Sequence, residues 1–119
     1  MTLDDLGRAK YISVTTMRRD GSAVATPVWL VREADALLVT TQGSSGKVKR
    51  IRNNPSVLVA PCDARGRLKG DQVPGMAHLQ DPAETERTTM LIRKRYGLLG
   101  WLFTRRGTDD RQGITITLA

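Results

Sequence analysis

From Thr40 to Pro55 the chain reads Thr-Thr-Gln-Gly-Ser-Ser-Gly-Lys-Val-Lys-Arg-Ile-Arg-Asn-Asn-Pro. A strand that runs into a Gly/Ser loop and then into a helix start is an arrangement suited to anions. The first turn of a helix carries backbone N–H groups with no intrahelical acceptor, and the macrodipole is positive there. Ser45 is a suitable N-cap, and Asn54-Pro55 stops the helix. On a helical wheel Val48 and Ile51 face inward. Lys47 lies on the rim of that stripe with Arg50 on the same side, while Lys49 projects away. A cation in the first helical turn is disfavoured by roughly 0.3–1 kcal/mol, and a bound phosphate would reverse that sign. Lys47, Lys49, Arg50 and Arg52 also fit a plain solvated helix face. The loop lacks the spacing of a nucleoside-triphosphate P-loop, which argues against that ligand.

A second unusual segment is Ala25-Thr26-Pro27-Val28-Trp29. Proline cannot donate to a ladder, so a strand containing it has an edge, a bulge or a ligand beside it. Trp29 brings a flat apolar surface, or simply the bulk of a large core residue. No acid/base pair is evident, and no catalytic residue is assigned. His78 is the lone histidine, so a two-histidine metal motif is excluded and a Ser-His-Asp triad is disfavoured. No metal site is expected. His78 is a candidate proton donor, although a lone histidine in a strand is more often structural, and Tyr11 and Tyr96 stand no better supported; Cys62 reads as a small hydrophobe packed in the barrel.

The elements that hold these residues follow from periodicity. Residues 2–9 predict a short helix capped by Thr2 or Asp4. Tyr11–Met17 alternates and is rich in β-branched residues, which predicts a strand. Arg19-Asp20-Gly21-Ser22 turns the chain, Ala23–Val31 returns it, and Ala36–Thr41 continues a meander. After the helix at 47–53 come a central strand at Ser56–Cys62 and one or two strands within 67–80, broken by Pro74-Gly75. Asp81, Pro82 and Glu84 form the start signal of a helix that runs to Tyr96 and ends at Gly97. Arg105-Arg106-Gly107 is a basic turn, and Ile114–Leu118 closes the fold. The sum is a mainly β (α+β) fold: six to seven antiparallel strands in a small barrel with flanking helices.

The 119 residues suffice for one domain over 1–119, with a core built from Val, Leu, Ile and Ala because aromatics are only 4%. No stretch approaches the ~20 apolar residues of a membrane helix, and the N-terminus has no signal-like apolar region. One cysteine allows no internal disulfide, so a reduced, cytoplasmic setting is expected. The net charge of +7 suggests an anionic partner. Nucleic acid is disfavoured because stacking aromatics are scarce and the cations are scattered.

These segments together carry a family resemblance. Tyr11-Ile12-Ser13-Val14-Thr15-Thr16, Asp20-Gly21, Ala25-Thr26-Pro27-Val28-Trp29, Leu38-Val39-Thr40-Thr41, Ser45-Gly46-Lys47-Val48-Lys49-Arg50 and Asn54-Pro55 follow one another in order. With Pro61-Cys62-Asp63-Ala64-Arg65-Gly66 the likeness covers roughly 6–118. The chain resembles the pyridoxamine 5'-phosphate oxidase-like FMN-binding split barrels, and within them the small proteins described as oxidoreductases using the deazaflavin coenzyme F420.

The resemblance implies a homodimer with two cofactor sites at its interface. Ser45, Lys47 and Arg50 would hold the cofactor phosphate, with Thr40 and Thr41 on the strand leading in. Pro27, Val28 and Trp29 would line the tricyclic ring. Arg18, Arg19, Lys49 and Arg52 are candidates for the polyglutamate tail of F420, which FMN lacks. Met76 and the segment Val73–Leu79 are candidates to reach the partner's site. The implied activity is hydride transfer between reduced deazaflavin and a small electrophilic substrate. The alternatives are an FMN-binding oxidoreductase or oxidase, and a non-catalytic cofactor or haem carrier on the same barrel.

Overall fold

The computed structural model describes residues 2–105 and 110–119, with the side chains of 98–105 excepted. The elements run α1 (Leu3–Arg8), β1 (Tyr11–Met17), β2 (Ala23–Val28), β3 (Val31–Glu33), β4 (Ala36–Gln42), α2 (Gly46–Asn53), β5 (Ser56–Cys62), β6 (Val73–Leu79), α3 (Pro82–Arg105) and β7 (Arg111–Leu118). Seven antiparallel strands form one curled sheet in the order β2-β1-β5-β6-β7-β4-β3. The fold is the expected mainly β split barrel with flanking helices.

Local signals place most boundaries. Thr2 and Asp5 form a reciprocal capping box on α1. Asp20 accepts the Ser22 N–H at 2.9 Å, and Gly21 supplies φ 87° in the β1–β2 hairpin. Asp81 accepts the Glu84 N–H at 2.7 Å while Glu84 accepts the Asp81 N–H at 3.1 Å, which starts α3. Gly97, at φ 62°, breaks the helix where expected, but the backbone resumes helical geometry to Arg105. The apolar run Leu98–Phe103, expected to pack on the barrel or on a partner, has its side chains outside the described residues, and the expected basic turn lies partly outside them.

The strand expected over Ala23–Val31 is two strands. The chain leaves the sheet at Trp29-Leu30; β2 pairs with β1, and β3 pairs with β4. β2 and β3 are opposite edges of the sheet, so the simple meander does not hold. Joining those edges through two residues requires the sheet to curl. Pro74-Gly75 does not break its strand either. Pro74 pairs with Leu58 just beyond the end of the β7 ladder, where a missing N–H costs little. A Cβ at Gly75 would lie 2.9 Å from the Thr117 carbonyl oxygen, so glycine is what lets β6 and β7 approach.

Inward-facing residues alternate along the strands. Ile12, Val14, Leu37, Val39, Val57, Val59, Ala77, Ile114 and Ile116 fill the interior, with Leu6 of α1, Leu30 and Ile51 of α2 in the same cluster. Among the described residues no helix is long and apolar enough to cross a membrane.

Candidate functional site

Helix α2 begins at the end of β4 and plugs one side of the barrel with Val48 and Ile51, both at most 3% exposed. Ser45 caps it, its hydroxyl accepting the Val48 N–H at 3.5 Å. Asp110, just before β7, holds the preceding loop. Its carboxylate accepts the Ser44 hydroxyl at 2.7 Å, and its carbonyl accepts the Gly43 N–H at 2.7 Å. Arg50 turns back over the helix start. Its Nε donates to Thr16 Oγ1 at 2.7 Å, and a Cβ on Gly46 would meet its Nη1 at 2.6 Å. Thr16 is fully buried on β1.

Lys47 is deeper than its helical-wheel position on the rim implies. It is only 6% exposed. Among the described residues its ammonium has neither a hydrogen bond nor an ion pair. The first turn of α2 holds no acidic residue. Burial first, and then the adjacent Arg50 guanidinium, lower its pKa from 10.5 to about 8. A buried cation beside another cation, at the positive end of a helix, is costly in the free protein. An anion at this corner would relieve all three terms at once.

Beside it lies a 250 Å³ groove lined by Met17, Arg18, Arg19, Lys49, Arg50 and Asn53. It contains four cations and no carboxylate. Arg52 is exposed and does not line it.

The second locus is apolar. Pro27, Val28 and Trp29 line a shallow 330 Å³ hollow with Tyr11 and Ala64. Pro27 sits on an edge strand, as its missing donor requires. Trp29 is half-buried and stacks on Tyr96 with ring centroids 4.6 Å apart and planes 10° from parallel. The Tyr96 hydroxyl accepts the Leu30 N–H at 3.2 Å and donates to the Lys10 carbonyl at 2.7 Å. Arg95 adds bonds to the Leu30 and Ala9 carbonyls. Tyr96 therefore braces the wall, and its hydroxyl is committed to backbone.

The structure gathers Ser45, Lys47 and Arg50 at one corner and Pro27, Val28 and Trp29 at another. The β1–β2 ladder connects them. Thr16 pairs with Val24 at the first corner and Ile12 with Val28 at the second, a separation of roughly 13 Å at ~3.3 Å per residue. Thr26 Oγ1, between them on β2, is buried with no hydrogen-bond partner and lies on the face of its cross-strand partner Val14. Thr40 and Thr41 lie on β4 before the loop, both half-buried. The Thr40 hydroxyl already accepts from Arg111 Nη1 at 3.2 Å, and alternation turns Thr41 to the side of Val39.

Thr16 and Asp110 are the organising residues that sequence reasoning misses. Asp110 is far from Ser44 in the chain and carries no motif, and Thr16 looks like any β-branched strand residue. His78 is exposed on β6, and Met76 beside it is 37% exposed. Cys62 is 3% exposed and pairs with Tyr11 on the sheet face away from the core cluster. Burial first, then the Asp63 carboxylate, push its thiol pKa up, which suits an inert packing role.

No curated protein matches the chain in sequence. Solved structures share its fold. The haem storage protein HutZ from Vibrio cholerae is 12% identical with TM-score 0.72, covering 100% of this chain and 92% of that one. An F420 reductase is 18% identical with TM-score 0.69, covering 99% and 93%. The conserved hypothetical protein Rv2991 from Mycobacterium tuberculosis is 19% identical with TM-score 0.75, covering 99% and 81%. Identities this low establish the fold alone. Residues 3–119, strands and α2 corner included, match the family described as pyridoxamine 5'-phosphate oxidase, and the chain belongs to that family.

Proposed function

We propose that this chain is a one-domain, homodimeric, cytoplasmic oxidoreductase that uses coenzyme F420 to exchange a hydride with a small electrophilic substrate. The observation that carries this reading is Lys47, a side chain only 6% exposed whose ammonium has no anion partner among the described residues, beside Arg50 at the start of α2. The residues fit a phosphorylated ring cofactor. Ser45, Lys47 and Arg50 hold the phosphate, and Pro27, Val28 and Trp29 back the ring. Thr40 and Thr41 fix the strand that enters the loop. When bound, the deazaflavin supplies the hydride chemistry. The protein binds it, orients it and keeps its phosphate charge compensated.

The groove of Arg18, Arg19, Lys49 and Arg50 favours F420 over FMN. A polyglutamate tail brings several carboxylates, whereas FMN ends at its phosphate. The competing carrier reading draws on HutZ, a structural relative at the level of the fold.

Parallel titrations with F420, FMN and hemin test the reading. The expected result is saturable F420 binding at micromolar concentration, tighter with longer polyglutamate tails. That tail-length gain shrinks with salt, because the pairs are exposed. Binding of FMN or hemin alone overturns it.

A further inference from the structure

A second cavity adjoins the apolar hollow. It measures 410 Å³ and lies between the end of α1, the start of β1, and the end of β5 with the segment that follows. Tyr11 and Ala64 line both spaces, so the two meet at Tyr11.

The charges in this cavity are unevenly satisfied. Asp5 accepts from the Thr2 N–H at 3.0 Å, the Thr2 hydroxyl at 2.8 Å and Arg8 at 2.9 Å. Asp63 accepts the Arg65 and Arg67 N–H groups, both at 2.9 Å. Those bonds hold both carboxyl pKa values down, so both stay ionised with their acceptor capacity engaged. Lys10 and Lys69 line the same space. Among the described residues neither ammonium makes a hydrogen bond or an ion pair. Lys69 is within electrostatic reach of Asp63 without contacting it. Ala9 and Pro61 supply apolar wall. The cavity therefore offers two exposed lysines without a contact ion pair, and it shares Tyr11 and Ala64 with the apolar hollow.

We infer that this cavity takes the substrate, and that the substrate is a small unsaturated molecule with an anionic group, carboxylate or phosphate, held by Lys10 and Lys69. The inference rests on the proposed hydride transfer with the ring against Pro27, Val28 and Trp29. The anionic end lies on the lysines and the electrophilic carbon extends past Tyr11 toward the ring. The substrate gains a hydride from the reduced cofactor and a proton from solvent, two electrons in all, which the cofactor loses.

The test uses the full chain with two probes, cinnamate and phenyl phosphate, titrated by calorimetry beside F420 and FMN. At least one probe binds saturably. Lys10→Ala/Lys69→Ala together weaken it by about tenfold or more, with unchanged cofactor affinity and melting temperature. The probe also perturbs the spectrum of the bound cofactor. No saturable probe binding, or equal affinity in the double variant, overturns the cavity assignment. Lysine-dependent binding that leaves the cofactor spectrum unchanged overturns the contact with the ring. Lysine-dependent probe binding in a chain that takes neither F420 nor FMN overturns the hydride-transfer reading and not the anion cavity.

Discussion

Arg50 Nε donates to Thr16 Oγ1 across 2.7 Å, tying the helix that starts the proposed anion corner to the strand that leads to the proposed ring wall. Thr16 in turn pairs with Val24 at the far end of the ladder whose other end carries Val28. The two halves of the candidate site are thus held in one register by a single rigid strand pair.

Lys47 and Lys49 separate a site from a solvated face. Lys47→Ala removes a charge-assisted contact worth roughly 1.5–3 kcal/mol, about ten- to a hundredfold in cofactor affinity. Lys49 is exposed, and Lys49→Ala costs well under tenfold. The cofactor-free Lys47→Ala protein melts at the same or a higher temperature, because a buried unpaired cation is gone. Equal small effects at both positions return the helix to a solvated face.

Lys47 also sets a pH dependence. Its folded pKa of about 8 lies below the unfolded value near 10.5. Between those values the unfolded chain binds more protons, so cofactor-free stability rises with pH. The burial cost is full below pH 8 and relieved toward 10.5, on the order of 3 kcal/mol. Cofactor binding moves the other way, because the phosphate selects the charged amine, and affinity falls as pH passes about 8. Denaturation and binding profiles measured across pH 7–10 should show opposite slopes, both lost in Lys47→Met.

Gly46→Ala is a test of Arg50. The new methyl would occupy the space of Arg50 Nη1, the mobile end of a long side chain. The helix itself gains from alanine. The expected outcome is an unchanged or raised melting temperature with cofactor affinity lowered by roughly three- to tenfold. A variant that binds as well as the parent shows that Arg50 has another productive position.

Tyr96→Phe keeps the ring stacked on Trp29 but deletes the acceptor for the Leu30 N–H. Leaving that group unpaired costs roughly 1–3 kcal/mol. Chemical denaturation should report that loss. A deep loss of cofactor turnover with stability intact would instead give Tyr96 a direct role.

The proposed dimer is tested by sedimentation at micromolar concentration, which should give twice the 13.1 kDa of the chain. Met76, exposed beside exposed Pro74 and His78 on β6, marks the face to perturb. Met76→Lys should shift the equilibrium toward monomer, and a monomeric parent protein sinks the two-site arrangement.

Much of the fold was legible because its signals are local. Asp81 and Glu84 cap α3, Ser45 caps α2, and Asp20-Gly21 turns the first hairpin. The break at Trp29-Leu30 was not legible, since Ala23–Val31 has one continuous strand-like composition. Only the closure of the sheet decides that β3 belongs to β4. For the site, the types and spacing of Ser45, Lys47 and Arg50 point to an anion. The burial of Lys47 depends on packing around α2, and the clamp by Asp110 on a partner far along the chain. Neither leaves a trace in local periodicity.

β2 and β3 are the two margins of the sheet, yet only Trp29 and Leu30 separate them in the chain. A foreign strand approaching β2 meets Pro27, which has no N–H to offer, and one approaching β3 finds a ladder of three residues. Neither margin is a template for strand addition. Strand-by-strand stacking from the native state is thus opposed by Pro27 on one margin and by the shortness of β3 on the other, which turns self-association toward the faces of the sheet or the helices.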